Sequence, residues 1–345
     1  MDARAQSTDK AERSPALSIR NLTIEIPTRR GLLRPVDDVS LDIAPGEILG
    51  LVGESGAGKS MTGSAVIGLL ERPGRIAGGE IRLGTTELTR LSEAEMRRVR
   101  GKRIGMIFQD PMASLNPLKR IGDTLIETIQ LHLGLTGEDA RARALSLLND
   151  VGIPAAESRM DGYPHEFSGG MRQRVVIALA LAGEPELIIA DEPTTALDVS
   201  VQAQIMAELK RLCRERGVAI LLITHDMGVI AETANRIAVL YAGRLCEVGQ
   251  VRDTFQEPWH PYTRGLMQST PSTIAGDQQL KQIPGAMPGL TAIPNGCAFH
   301  PRCVERLGEC VSERPDLQSV TRRTNSTDGH RNIACWLHTS TQDQP

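Results

Sequence analysis

Short runs of uninterrupted apolar residues alternate along this chain with longer segments in which apolar positions recur every three or four residues. Segments 104–108, 187–190 and 219–223 belong to the first kind and read as strands buried on both faces, as in a parallel sheet. Segments 17–26 and 39–43 alternate or cluster apolar residues as strands do, and 47–52 is a short apolar strand that runs straight into a glycine-rich loop. Helical spacing marks 59–70, 91–100, 138–151, 171–182 and 199–214, with Gly152 and Pro154 ending the third of these. Buried strands alternating with helices predict an α/β layered core.

At 345 residues the chain has room for one large domain with an extension, or for two domains. A content of 40% hydrophobic and 23% charged residues is ordinary for a protein with a buried core. The net charge of -3 argues against a general nucleic-acid binder. The longest apolar runs fall far short of the ~20 residues that span a bilayer, and no charged-then-apolar leader is visible. Residues 1–16 read as a polar, disordered tail. These features place the protein in the cytoplasm and bring it to a membrane only through a partner. Beyond about residue 254 the composition shifts to Pro, Gly, Gln, Thr and Asn, and four of the six cysteines fall within 297–335. A boundary near 255–270 is expected, giving a main domain over 17–260 and an irregular extension over 261–345 with little helix of its own. The basic run from Arg97 to Arg103 reads as a solvated helix face.

The chemistry begins at the loop Gly53-Glu54-Ser55-Gly56-Ala57-Gly58-Lys59-Ser60. Its glycines let successive backbone N–H groups turn inward toward phosphate oxygens. Lys59 sets a positive charge against the β- and γ-phosphates, and Ser60 offers a hydroxyl to Mg²⁺. The strand at 187–190 ends in Asp191-Glu192, where Asp191 is placed for the Mg²⁺ shell and Glu192 to orient or deprotonate a water. A second anion-binding turn, Phe167-Ser168-Gly169-Gly170-Met171-Arg172-Gln173-Arg174, opens another helix. Two such turns in one chain make sense if the second closes over a nucleotide held by a different subunit.

Together these strings resemble the ATP-binding-cassette family. The resemblance implies a phosphate-loop cassette core with a helical signature subdomain. Residues 53–61, ending at Met61 where a hydroxyl often stands, would then bind ATP, and Ser168, Gly169 and Gly170 would meet the partner's γ-phosphate. Gln109 opens Gln109-Asp110-Pro111-Met112-Ala113-Ser114-Leu115-Asn116-Pro117, which is similar to the Gln loop of the peptide and nickel branch. It would ligate Mg²⁺ or position water and report nucleotide state to membrane subunits. His225 would touch the γ-phosphate and back Glu192, and Asp198 would lie in the loop that crosses to the partner. One departure stands out: no aromatic residue precedes Phe108, and Ile26 occupies the nearest match to the usual adenine-stacking position.

In the tail, the spacing of Cys297, Cys303, Cys310 and Cys335 by itself fits neither zinc pairs nor a ferredoxin run. Disulfides are not expected in the cytoplasm, and unligated cysteines packed as small hydrophobes remain open, as Cys213 and Cys246 are taken to be. His260-Pro261-Tyr262-Thr263-Arg264-Gly265-Leu266 and Asn295-Gly296-Cys297-Ala298-Phe299-His300-Pro301-Arg302-Cys303 resemble the extension of oligopeptide and dipeptide permease ATPases. That resemblance implies a structural or regulatory [4Fe–4S] cluster on the four cysteines, with Zn²⁺ or no metal as alternatives. It further implies an ATP-hydrolysing subunit of a di- or oligopeptide importer at the cytoplasmic face of the inner membrane, more like the first than the second of two unlike ATPases. The partners would be the second ATPase, two transmembrane permeases and an external solute-binding protein, with no nucleic acid. A soluble cassette ATPase working on ribosomes or DNA, an importer of a nickel chelate, and a non-hydrolysing nucleotide sensor are the alternatives.

Overall fold

The computed structural model describes residues 14–29, 31–194, 197–270, 282–323 and 328–339. Most of the expected N-terminal tail, residues 1–13, lies outside the described residues. Two sheets carry the architecture. The smaller is antiparallel, built from β1 (Leu17–Thr28), β2 (Gly31–Ile43), β4 (Arg75–Leu83) and β5 (Thr86–Glu87) in the order β2-β1-β4-β5. The larger contains β3 (Ile48–Val52), β6 (Ile104–Ile107), β7 (Leu187–Asp191), β8 (Ala219–Ile223), β9 (Arg236–Tyr241), β10 (Arg244–Gln250), β11 (Gln318–Arg323) and β12 (Asp328–Ile333). Its order is β11-β12-β10-β9-β3-β8-β7-β6, and the block from β9 to β6 is parallel.

Every residue of β3 and β8 is buried, as uninterrupted apolar runs require. The strand period of two sends their side chains to opposite sides. Ile48, Val52, Ile220 and Leu222 join the core under the helices, whereas Leu49, Leu51, Leu221 and Ile223 join the core shared with the antiparallel sheet. The helix Lys59–Val66 stops four residues short of expectation, because Gly68 turns the chain with φ 66°. The helix Glu93–Val99 is held at its start by a reciprocal Ser92–Glu95 capping box. A helical subdomain is built from Ile121–Leu133, Gly137–Asp150 and Gly169–Leu181, packed through Leu125, Ile129, Ala144, Leu147 and Leu148. The helix Val199–Arg216 ends at Gly217, φ 68°.

The helix Ile121–Leu133 and the β9–β10 hairpin are not among the elements read from the apolar pattern. The hairpin turns on Ala242 and Gly243, both at positive φ, which directs the chain back beside β9. The tail then continues the same sheet. β12 pairs antiparallel with β10 through Glu247↔Ile333 and Val248↔Asn332. A buried ion pair fastens this junction, since Arg331 (4% exposed) meets fully buried Glu247 at 3.3 Å. The same carboxylate accepts the N–H groups of Trp259 (3.1 Å) and His260 (2.9 Å). Arg331 also donates to the Asp253 and Glu257 carbonyls and stacks 4.5 Å from the Trp259 ring centroid. Removing the guanidinium leaves Glu247 buried without its counter-charge, so Arg331→Met should lower unfolding free energy by about 3–5 kcal/mol. Denaturant titration showing a loss below about 1 kcal/mol would contradict that role for the pair.

Candidate functional site

Loops leaving the C-terminal ends of β3, β8, β7 and β6 open on one edge of the parallel block. Register keeps them level: Leu51 and Asp191 both lie across from Ile223, and Ala190 lies across from Ile107. The glycine loop after β3 needs its glycines for two separate reasons. Gly53, Gly56 and Gly58 take φ of 156°, 82° and 106°, and a Cβ on Gly53 or Gly58 would sit 2.1 Å from the Leu240 carbonyl oxygen or 2.2 Å from that of Pro35. Ala57 is fully buried, Ser55 and Ser60 are exposed, and Met61 packs at the margin of the core.

Lys59 is 6% exposed and donates from Nζ to the carbonyls of Gly53 (2.8 Å) and Glu54 (3.0 Å). Burial holds its pKa below the usual lysine range, against the pull of Glu192, Asp191 and Glu54. The Ser60 hydroxyl donates to Asp191 Oδ1 at 3.1 Å, so a hydroxyl and a carboxylate offer hard oxygen donors at one place. Glu192 is gripped from two sides. Gln109 Nε2 donates to its Oε2 at 3.0 Å, and His225 Nδ1 lies 3.0 Å from its Oε1. The Glu192 backbone takes φ 47°, and its N–H donates to the Ile223 carbonyl at 2.8 Å. A non-glycine residue held in this region stores strain that the neighbouring strand must enforce.

Lys59, Ser60, Asp191, Glu192, Gln109 and His225 thus form one continuous set. Ser168, Gly169, Gly170 and Asp198 belong to a different one. Ser168 caps the helix Gly169–Leu181 by accepting the Met171 N–H at 3.3 Å, and its hydroxyl is exposed. A Cβ on Gly170 would lie 2.7 Å from Val201, in the first turn of the helix that Asp198 caps. Asp198 accepts from the Val201 N–H (2.9 Å) and the Ser200 hydroxyl (2.7 Å), and these bonds hold its carboxyl below the usual range, the hydroxyl contributing most. Ile26 is half-buried in β1 opposite Leu33.

The four tail cysteines line one cavity of about 10 Å³ together with Phe299 and Trp336. Such a volume is at the scale of a single water. Burial pushes the Cys335 thiol up to about 12 and raises Cys297 and Cys303. The four thiols therefore line one space, but that space is too small for a bound cluster. No group of three or more His, Cys, Asp or Glu among the described residues is placed to hold an ion. Cys213 is buried core, its thiol pushed up to about 11 by burial, and Cys246 is buried likewise.

Comparison with known proteins bears on the same residues. The ABC transporter family model matches residues 36–195, and that of the oligopeptide/dipeptide transporter C-terminal region matches 246–310. The dipeptide transport ATP-binding protein DppD of Bacillus subtilis (strain 168) is 45% identical over 329 residues, covering 95% of each chain. The chain belongs to the ABC transporter family, in its oligopeptide/dipeptide branch. The oligopeptide transport ATP-binding protein OppD of Haemophilus influenzae is 46% identical over 94% of this chain and 98% of its own. Among solved structures, a dimeric ATP-binding cassette in a post-hydrolysis state with ADP and Pi superposes with a TM-score of 0.61 at 30% identity, over 68% of this chain and 99% of that one. No helix among the described residues of this ABC ATPase is long and apolar enough to cross a membrane.

Residue types and spacing did not point to every group at the ATPase site. Arg302, from the tail, forms a two-pronged ion pair with Glu54 of the glycine loop, and Tyr262 accepts the Glu54 N–H at 2.8 Å. Nothing local marks either residue for that place.

Burial raises the Asp191 carboxyl above the ordinary aspartate range; Glu192 adds to the rise, while the Ser60 hydrogen bond and Lys59 oppose it. Because the native-state pKa exceeds the unfolded one, the ionised carboxylate costs stability. That cost is complete above the native pKa and is relieved as pH falls through it. Without nucleotide, Asp191→Asn should therefore melt at a higher temperature than the parent at neutral pH, with the gap closing toward acid. Thermal melts across that range check this, and identical melting at every pH would refute it.

Proposed function

We propose that this ABC ATPase hydrolyses ATP to drive uptake of di- or oligopeptides, as one of two unlike ATPases attached to a pair of permeases and served by an external solute-binding protein. The observation that carries the reading is Glu192 held between Gln109 and His225, one residue beyond an Asp191 that already engages Ser60. In this reading the glycine loop from Gly53 to Met61 cradles the triphosphate, and Lys59 leaves its loop carbonyls for the phosphate oxygens. Ser60, Asp191 and Gln109 would hold Mg²⁺, which when bound supplies charge stabilisation to the leaving phosphate. Glu192 orients the attacking water and accepts its proton; the water oxygen bonds to the γ-phosphorus as the bond to the β–γ bridging oxygen breaks. His225 steadies Glu192 and reaches the γ-phosphate.

Ser168, Gly169 and Gly170, with Asp198, are assigned to the partner's nucleotide. Their support is the exposure of Ser168 and Asp198 and the resemblance of the turn. ATP then bridges two halves, and its hydrolysis lets them part, a switch of the γ-phosphate-sensing type. The cassette is taken as residues 17–260 and the extension as 261–345, at the cytoplasmic face of the membrane. A [4Fe–4S] site on Cys297, Cys303, Cys310 and Cys335 rests on the resemblance of the extension; the four thiols line one cavity, but one smaller than a cluster.

In the assembled transporter, Glu192→Gln should keep ATP binding but lose about 100-fold or more in turnover. Normal turnover by that variant would remove Glu192 from the role. A tagged copy isolated anaerobically from detergent-solubilised membranes tests partners and cluster together. Two permeases, a second unlike ATPase and about four iron atoms per chain are expected. A soluble preparation carrying ribosomes or DNA would overturn the importer, and one without iron would leave the cysteines as packing groups.

A further inference from the structure

The glycine loop carries an acidic residue, Glu54, where a polyphosphate would have to sit nearby. A carboxylate there repels the ligand unless something neutralises it. Arg302 does so from the far end of the chain. Its Nη1 donates to Glu54 Oε2 at 2.6 Å and its Nη2 to Oε1 at 3.0 Å, a forked pairing that fixes the carboxylate plane. The other donors are also engaged. Nε reaches the Pro284 carbonyl at 2.9 Å, Nη2 the Gly285 carbonyl at 3.4 Å, and Nη1 the Tyr241 hydroxyl at 3.4 Å. The guanidinium lies 5.8 Å and 5.9 Å from the Tyr241 and Phe299 ring centroids, and the side chain is only 6% exposed.

Two more contacts from the extension reach the same loop. The buried Tyr262 hydroxyl accepts the Glu54 N–H at 2.8 Å. The Met287 methyl lies 3.2 Å from where a Cβ on Gly56 would stand. The Glu54 carbonyl in turn accepts from Lys59, so the clamp on Glu54 is one residue's backbone away from the lysine that faces phosphate.

We propose that Arg302 is a positioning residue for nucleotide binding: the extension neutralises Glu54 and holds the opening of the glycine loop in the shape that receives a triphosphate. This rests on the ATP-binding reading above. Without Arg302, the Glu54 carboxylate is released toward the triphosphate and competes with it for Lys59. The repulsion is electrostatic, so it should vanish with the charge even when the arginine is absent.

Binding of a fluorescent ATP analogue to the full-length chain tests this, with melting temperature measured on every variant. Arg302→Ala should weaken binding about tenfold, the scale of one largely solvent-screened charge near the phosphates. The double variant Glu54→Gln with Arg302→Ala should recover most of that affinity, although it lacks the same cross-link. The single-variant deficit should also shrink as salt is raised. Parent-like binding by Arg302→Ala would overturn the proposal. So would a double variant that binds no better than the single one while both melt early, because Arg302 would then be only a structural tie. Failure of the parent protein itself to bind the analogue would sink the ATP-binding reading instead.

Discussion

Parallel pairing of β3 with β8, β8 with β7 and β7 with β6 is the constraint on which the rest depends. Parallel neighbours cannot be joined by tight turns, so each strand is separated from the next in space by a long stretch of sequence. The pairing nevertheless brings all their C-terminal ends to one edge, where loops can meet a ligand. Ser60 and Asp191, 131 positions apart, share a hydrogen bond for this reason. Gln109 and Glu192, 83 apart, do so as well. A slip of one residue between β7 and β8 would turn Asp191 and Glu192 over and dismantle both links.

The edge so formed is electrostatically expensive without a ligand. Lys59 is buried and occupied with loop carbonyls, Asp191 is lifted by burial, and Glu192 holds a left-handed backbone. Groups tuned in this way belong to sites where binding relieves the cost, rather than to frameworks selected for stability alone. The signature turn has no such tension. Ser168 and Asp198 are settled caps, and Gly170 is there because Val201 leaves no room for a side chain. A finished surface of that kind is suited to receive something from outside the chain, as a two-chain ATP sandwich demands.

The extension is not an appendage. Only 3% of residues are aromatic, yet Tyr241, Tyr262 and Phe299 gather at its junction with the sheet, with centroids 4.6–5.3 Å apart. Trp259 stacks beside them on His338. Large rings bury area where the chain must weld two regions, and the weld lies next to the glycine loop. The pairing of β12 with β10 and the Glu247–Arg331 bond complete it.

What the sequence determined by itself was local. The short apolar runs at 187–190 and 219–223 read as buried strands, and the glycine-rich run at 53–58 reads as backbone that can turn its N–H groups inward. The candidate site was legible to the same extent, because a phosphate loop and a strand ending in two carboxylates are contiguous motifs whose chemistry needs no distant partner. The sequence left open the pairing of Glu54 with Arg302, 248 positions apart, and the addition of β12 to the central sheet, while the meeting of four irregularly spaced cysteines was implied by the resemblance alone and not by their spacing. Those depend on strand order and on which surfaces bury one another. Such choices are made by the whole chain's packing free energy, to which no single segment's pattern is sensitive, so only the tertiary structure could decide them.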